Sequence, residues 1–81
     1  MTVDEYIKKK KPSETSLKLI EKLKSFSSDP DYILGTLAES SFDEDRQLII
    51  DYIDNGKDVS YENVLLFSLE LGIKRRQMNN G

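Results

Sequence analysis

The chain has 81 residues, of which 37% are hydrophobic and 33% charged, and its formal net charge at pH 7 is −3. This length predicts one domain with a single core, and the composition is typical of a folded globular protein. Neither cysteine nor histidine is present. Disulfide bonds, a thiolate nucleophile, a histidine general base and the common zinc sites are therefore excluded.

The sequence contains no apolar run that approaches the roughly 18 residues of a membrane span. The N-terminus also lacks the apolar core of a secretory signal. We therefore expect a cytoplasmic protein that does not act at a membrane.

Charge is distributed unevenly along the chain. Residues 1–27 carry seven lysines against four acids, and residues 28–73 carry eleven acids against two basic residues, a net charge of −9. Three basic residues follow, at 74–76. This distribution is typical of a solvated surface with basic charge near helix C-termini. The alternative is that the acidic part of the chain binds a basic partner.

The first predicted helix begins at a capping box formed by Thr2 and Glu5. Its apolar face comprises Val3, Tyr6 and Ile7. A helix this short is marginal alone, so we expect residues 1–12 either to dock through that face or to fray. Pro12 should force Lys11 out of helical geometry and end the segment.

Two further helix starts carry capping residues. Ser13 is placed to cap the second helix, and Asp29 followed by Pro30 is the strongest start signal in the chain. The apolar face of the second helix comprises Leu17, Leu19, Ile20, Leu23 and Phe26. The predicted buried stripe of the third helix comprises Ile33, Leu34, Leu37 and Ala38. Tyr32 lies outside this stripe, and Gly35 is consistent with close contact to a neighbouring helix.

The fourth helix is predicted to begin with Ser41 or Asp43 as its cap and to end at Gly56 in the left-handed conformation. Its wide apolar arc comprises Leu48, Ile49, Ile50, Tyr52 and Ile53. An arc of this width indicates contact with more than one neighbouring helix.

The last helix, residues 60–72, is predicted to be the centre of the fold, because it is apolar around most of its circumference. Ser60 should cap it, Gly72 followed by Ile73 should end it, and residues 74–81 should form a flexible basic tail. The predicted architecture is thus all-α: a single domain, 1–81, with four to five short helices around the C-terminal one.

No arrangement of residues predicts catalysis. The acids lie at helix starts and on solvated faces, and no glycine-rich phosphate loop is present. Residues 51–62 partly match a calcium loop, but Ile53 and Val59 occupy two of its ligand positions. We therefore expect no enzymatic activity, no cofactor and no metal.

The best candidate for a binding site is a protein-interaction surface on the fourth and fifth helices. Its predicted members are Glu44, Gln47, Asp51, Asp54 and Leu66. Leu66 falls inside the polar sector of the last helix. We expect either the N-terminal helix or the tail to cover it; if neither does, it becomes an exposed contact point beside acids.

The alternative partner is nucleic acid, bound by phosphate contacts at the two basic ends. The residues that would make these contacts are Lys8, Lys9, Lys10, Lys11, Lys74, Arg75 and Arg76. A helix-turn-helix could be drawn from the last two helices, but Glu62 and Glu70 on the would-be recognition helix repel phosphate. Another protein is therefore the preferred partner.

The segments Asp29–Gly35 and Tyr52–Leu65 together resemble short uncharacterised helical proteins of Gram-positive bacteria and their mobile elements. The resemblance covers about half of the chain. It implies a small bacterial accessory protein and assigns no active site.

Overall fold

This computed structural model describes residues 1–80 of the chain. That range contains five α-helices joined by short loops, and no strand. The helices are α1 (Val3–Lys10), α2 (Glu14–Lys24), α3 (Pro30–Glu39), α4 (Asp43–Asn55) and α5 (Tyr61–Asn80). They pack into a body of 35 × 30 × 20 Å. The predicted all-α bundle is confirmed.

Four helices begin at the predicted capping residues. Ser13 Oγ accepts a hydrogen bond from the N–H of Ser16 at 3.2 Å, and an Asp29 carboxylate oxygen accepts one from Asp31 at 3.0 Å. Thr2 caps α1 and Ser60 caps α5 in the same way. Each cap satisfies one backbone donor that has no partner within the helix.

The start of α4 differs from the prediction. Phe42 occupies the N-cap position without a side-chain cap, so neither Ser41 nor Asp43 caps this helix. Asp43 instead accepts a hydrogen bond from the Ser13 hydroxyl of α2 at 2.8 Å. A tertiary contact has replaced the local cap that the sequence favoured.

Helices α2 and α4 run parallel. Their first turns are joined by the hydrogen bond from Ser13 to Asp43, and their last turns by Lys22 Nζ and Asp54 at 2.7 Å. Both ends of the pair are therefore tied by side chains.

Helix α5 packs between α3 and α4. It runs parallel to α3, since Tyr61 stacks on Tyr32 near one end and Arg76 meets Glu39 near the other. It runs antiparallel to α4, with the Phe67 ring stacked on that of Tyr52 at 4.9 Å.

The core draws on every helix except α1. Its buried apolar members are Leu19, Ile20, Leu23, Tyr32, Ile33, Leu37, Ile49, Ile50, Val64 and Leu71. The prediction that Tyr32 lies off the buried stripe is wrong: its ring stacks on Tyr61 and its hydroxyl donates to the Tyr61 carbonyl. Ala38, predicted to be buried, is exposed.

The predicted end of the last helix at Gly72 is also wrong, because α5 continues to Asn80. Gly72 is buried against α3, where a Cβ atom would clash with the Glu39 carboxylate and lie 3.1 Å from the Glu39 carbonyl oxygen. The glycine therefore permits close helix packing and does not terminate a helix. The predicted tail from residue 74 is helical through residue 80.

The predictions for the other two glycines, Gly35 and Gly56, are also wrong. Gly35 has no neighbouring atom within 4 Å of a built Cβ, so it mediates no close helix contact. Gly56 has φ −71°, which is not the left-handed region. A side chain there would approach the Tyr52 carbonyl oxygen, which accepts the Gly56 N–H at 2.7 Å.

The N-terminal helix docks on the body, mainly against α3. Its three apolar side chains are half-buried against the core: Val3, Tyr6 and Ile7. Lys11 ends α1 in the left-handed region, with φ 44° and ψ 62°, so the predicted departure from right-handed helical geometry before Pro12 is confirmed.

Candidate functional site

The predicted acidic residues of α4 are all exposed, but they face different neighbours. Glu44 lies on the α5 side, 3.8 Å from Arg75, whereas Asp54 lies on the α2 side and is paired with Lys22. Between them Gln47 donates a hydrogen bond to Asp51 at 3.0 Å. These four residues thus form a polar strip that curves around α4.

Leu66 is 56% exposed, so the expectation that α1 or the tail covers it is wrong. The residues after Gly72 extend α5 along its own axis and cannot fold back over Leu66. Helix α1 packs against α3 instead. The predicted alternative, an exposed leucine beside acids, describes what the structure shows.

Leu66 is part of a larger apolar surface. We call the outer surface formed by α4 and α5, with the hollows along it, the α4–α5 face; its exposed apolar side chains are Leu48, Leu66 and Met78. Ile73, seven residues after Leu66, is exposed on the same side of α5 but borders neither hollow. The pattern of α4 predicts Leu48 in an apolar arc packed on neighbouring helices, whereas the structure leaves it 47% exposed.

Two hollows lie along the α4–α5 face. The first has a volume of about 230 Å³, and its lining comprises Tyr52, Asn63, Leu66, Phe67 and Glu70. The second has a volume of about 310 Å³, and its lining comprises Glu44, Asp45, Leu48, Leu71, Lys74, Arg75 and Met78. Leu66 thus borders one hollow, and Leu48 and Met78 border the other.

The basic end of α5 is engaged with α4. Arg75 donates two hydrogen bonds to Asp45, at 2.9 and 3.1 Å, and its guanidinium lies 4.3 Å from the centre of the Phe42 ring. The hydrogen bond to Asp45 raises the pKa of Arg75 above its ordinary value. This bidentate pair fixes the second hollow's lining in position.

The residues predicted to hold phosphate are therefore not equivalent. Arg75 and Arg76 already pair with carboxylates, of Asp45 and Glu39 respectively, which compete with any phosphate. Lys74 is exposed at the second hollow, and Lys8–Lys11 are exposed at the end of α1. Phosphate binding through these lysines stays a prediction.

A third hollow, of about 370 Å³, lies where α1 crosses the end of α2 and the start of α3. Its lining comprises Thr2, Val3, Asp4, Lys24, Ser28, Pro30 and Ile33. This volume is near the lower limit for small-molecule sites. Sequence reasoning missed it because three separate segments build it.

The segment that partly matches a calcium loop serves as a connection between helices. The Asp58 carbonyl accepts hydrogen bonds from the Tyr52 hydroxyl at 2.9 Å and the Asn63 amide at 2.7 Å. Within residues 1–80, acidic side chains do not come together in groups of three or more that could hold a metal.

No protein-family model matches this chain, and neither the curated proteins nor the solved structures include a match to it. A functional interpretation must therefore be built on the geometry of its own residues. Over residues 1–80, none of the helices has both the length and the apolar character needed to cross a membrane.

Proposed function

We propose that this protein is a non-enzymatic binding module whose α4–α5 face holds another protein. One observation carries the proposal: Leu48, Leu66 and Met78 are about half exposed or more and line the hollows of this face. Single exposed apolar residues are ordinary, whereas several on one face with polar residues around them mark an interaction surface.

The surroundings of these side chains resemble the plan of a protein interface. Apolar side chains line the hollows together with the carboxylates of Glu44 and Glu70, and Asp51 is exposed nearby on α4. Interfaces combine such an apolar centre with a polar border, and a few central residues provide most of the binding energy. Leu48 and Leu66 are the central residues that we expect to dominate.

The setting that we propose is the bacterial cytoplasm, in keeping with the resemblance to small helical accessory proteins. A binding module needs no catalytic group, and two of the carboxylates on α4 already have structural partners. Asp45 holds Arg75 and Asp54 holds Lys22. The chemistry of the α4–α5 face is thus that of recognition.

The proposal can be tested by comparing captured proteins. Wild-type protein and a Leu48→Ser, Leu66→Ser double variant are immobilised, incubated with a lysate of the source organism, and analysed by mass spectrometry. Leu17→Ser is the matched control, since Leu17 is 39% exposed but lies on α2.

We expect at least one protein to bind wild type and the Leu17→Ser control, and to be lost from the double variant. Circular dichroism must show that the double variant is folded. The proposal is wrong if every captured protein is retained by the folded double variant, or if the Leu17→Ser control loses the same protein.

A further inference from the structure

We infer that the α4–α5 face binds a basic amphipathic helix of its partner, with two large apolar anchors seven or eight residues apart. This inference depends on the proposed function and names the chemistry of the partner. The three observations that carry it are the spacing of the two hollows, their size and the charge around them.

The spacing follows from the register of α5. The α5 residues that line the first hollow are Asn63, Leu66, Phe67 and Glu70, and those that line the second are Leu71, Lys74, Arg75 and Met78. Each member of the second set follows one of the first by eight residues. At 1.5 Å per residue the hollows are about 12 Å apart along α5.

A helix lying along this face presents side chains at the matching distance. Residues i and i+7 on a helix are separated by about 10.5 Å, residues i and i+8 by about 12 Å, and both pairs lie on one side. Grooves that bind helices are read by anchors with this periodicity. An added strand would instead need an unpaired sheet edge, and residues 1–80 contain no strand.

The size of the hollows admits one large apolar side chain each. They measure about 230 and 310 Å³, whereas an apolar cavity of ~150 Å³ is enough for benzene. Phe67 and Leu71 lie at their bases, half-buried and buried respectively. The second hollow is mainly apolar, and the first combines the apolar Leu66 and Phe67 with the polar Asn63 and Glu70. Leucine, methionine or phenylalanine anchors would contact the apolar part of each.

The charge around the hollows selects a basic helix. Asp45 and Arg75 are hydrogen-bonded to each other, so their charges are compensated. Glu44 and Glu70 lie at the hollows, and Asp51 is exposed on α4 about one turn beyond Leu48. Lys74 supplies one positive charge against these three. Lysine and arginine flanking the two anchors would meet this net negative rim.

The direct test uses two synthetic peptides of about 18 residues with the same composition of leucine, lysine and alanine. In the first, two leucines are seven residues apart; in the second they are five apart, which places them on different sides of a helix. Binding to the full chain is measured by fluorescence anisotropy. We expect the first peptide to bind at least tenfold more tightly.

The same assay identifies the surface. Leu48→Ser and Leu66→Ser should each weaken binding of the first peptide about tenfold, and the Leu17→Ser control should leave it unchanged. Asp51→Lys should weaken binding and reduce its dependence on salt, because one attractive charge is reversed. Equal affinity for the two peptides, or equal effects at Leu17 and Leu66, would overturn the inference.

Failure of this inference can be told apart from failure of the proposed function. If the leucine-dependent capture of a partner succeeds but neither peptide binds, the face is a binding surface for something other than a helix. A second copy of the chain is the other occupant to exclude. A stable dimer in sedimentation analysis that Leu66→Ser dissociates would overturn the inference.

Discussion

At the scale of single residues, the least expected feature is a buried arginine. Arg46 is 9% exposed and donates to the carbonyls of Ser40 and Leu37 and to the Ser16 hydroxyl, at 2.6, 3.0 and 2.6 Å. Those carbonyls lie in the last turn and at the C-cap of α3, where the helix dipole favours a positive charge. Arg46 thus joins α2, α3 and α4.

Removing this side chain should destabilise the fold strongly. Arg46→Ala leaves two carbonyls and a hydroxyl without their donors in a buried region, which we expect to cost about 3 kcal/mol. Arg46→Lys keeps the charge but not the planar set of donors, so its loss should be smaller. The free energy of unfolding from urea titration measures both.

The control for Arg46 is Arg76→Ala. Arg76 is exposed and pairs with Glu39 at 3.2 Å, and an exposed pair contributes less than about 1 kcal/mol. If Arg46→Ala costs no more than Arg76→Ala, Arg46 is not the link between the helices that its hydrogen bonds indicate.

Tyr32 links stability to alkaline pH. Burial, followed by the neighbouring Tyr61, raises its pKa from 10.0 to about 12. The folded state therefore favours the neutral phenol, and this contribution is complete below pH 10 and lost as pH rises towards 12. The unfolding free energy of wild type should fall through this interval more steeply than that of Tyr32→Phe. Parallel curves would contradict the assignment.

At the scale of helices, the glycine in α3 and the glycine in α5 have opposite effects on stability. Gly72 lies against Glu39 of α3. Gly35 is in the interior of α3, and no neighbouring atom lies within 4 Å of the position that a Cβ atom would take there. Replacing a helical glycine by alanine gains up to about 1 kcal/mol where nothing obstructs the new methyl group. At Gly72 the obstruction by Glu39 opposes that gain.

We expect Gly35→Ala to raise the unfolding free energy by about 0.5–1 kcal/mol and Gly72→Ala to lower it. Thermal or urea unfolding of the two variants beside wild type gives the comparison. Equal stabilisation by both substitutions would show that α5 does not need a glycine to approach α3.

Helix positions were predictable from sequence because they depend on local chemistry. Ser13, Asp29 and Ser60 cap their own helices through hydrogen bonds that span two or three residues. The predictions were wrong where a residue's role depends on a contact with a residue distant in the chain. The local sequence predicts a helix end at Gly72, but the close approach of Glu39 accounts for that glycine. The periodicity of α3 predicts an exposed Tyr32, but the ring of Tyr61 covers it.

The candidate site was predictable only in part for the same reason. The exposure of Glu44, Gln47 and Asp51 follows from the periodicity of α4 alone. The grouping of Leu48 with Met78 depends on the antiparallel packing of α4 and α5, which the sequence does not specify. The spacing of the hollows could not be predicted, because it depends on the continuation of α5 past Gly72.

At the scale of the whole molecule, the basic C-terminus is folded onto acids. Arg75 and Arg76 neutralise carboxylates of α4 and α3, while Lys8–Lys11 extend from the other end. Of the predicted phosphate contacts, only Lys8–Lys11 and Lys74 are thus left without a carboxylate partner in the ion pairs described above.

We expect no retardation of duplex DNA in a mobility-shift assay at about 50 mM salt, where phosphate contacts are strong. A variant with Lys8–Lys11 replaced by glutamine should behave identically. A shift by wild type that this variant loses would favour the phosphate-binding alternative.

The central claim is that the α4–α5 face is the binding surface, and an amide chemical-shift map tests it most directly. ¹⁵N-labelled protein is titrated with the peptide whose leucines are seven residues apart. We expect the largest changes at Leu48, Leu66, Glu70 and Met78. Changes concentrated instead around Thr2 and Pro30, at the hollow beneath α1, would contradict it.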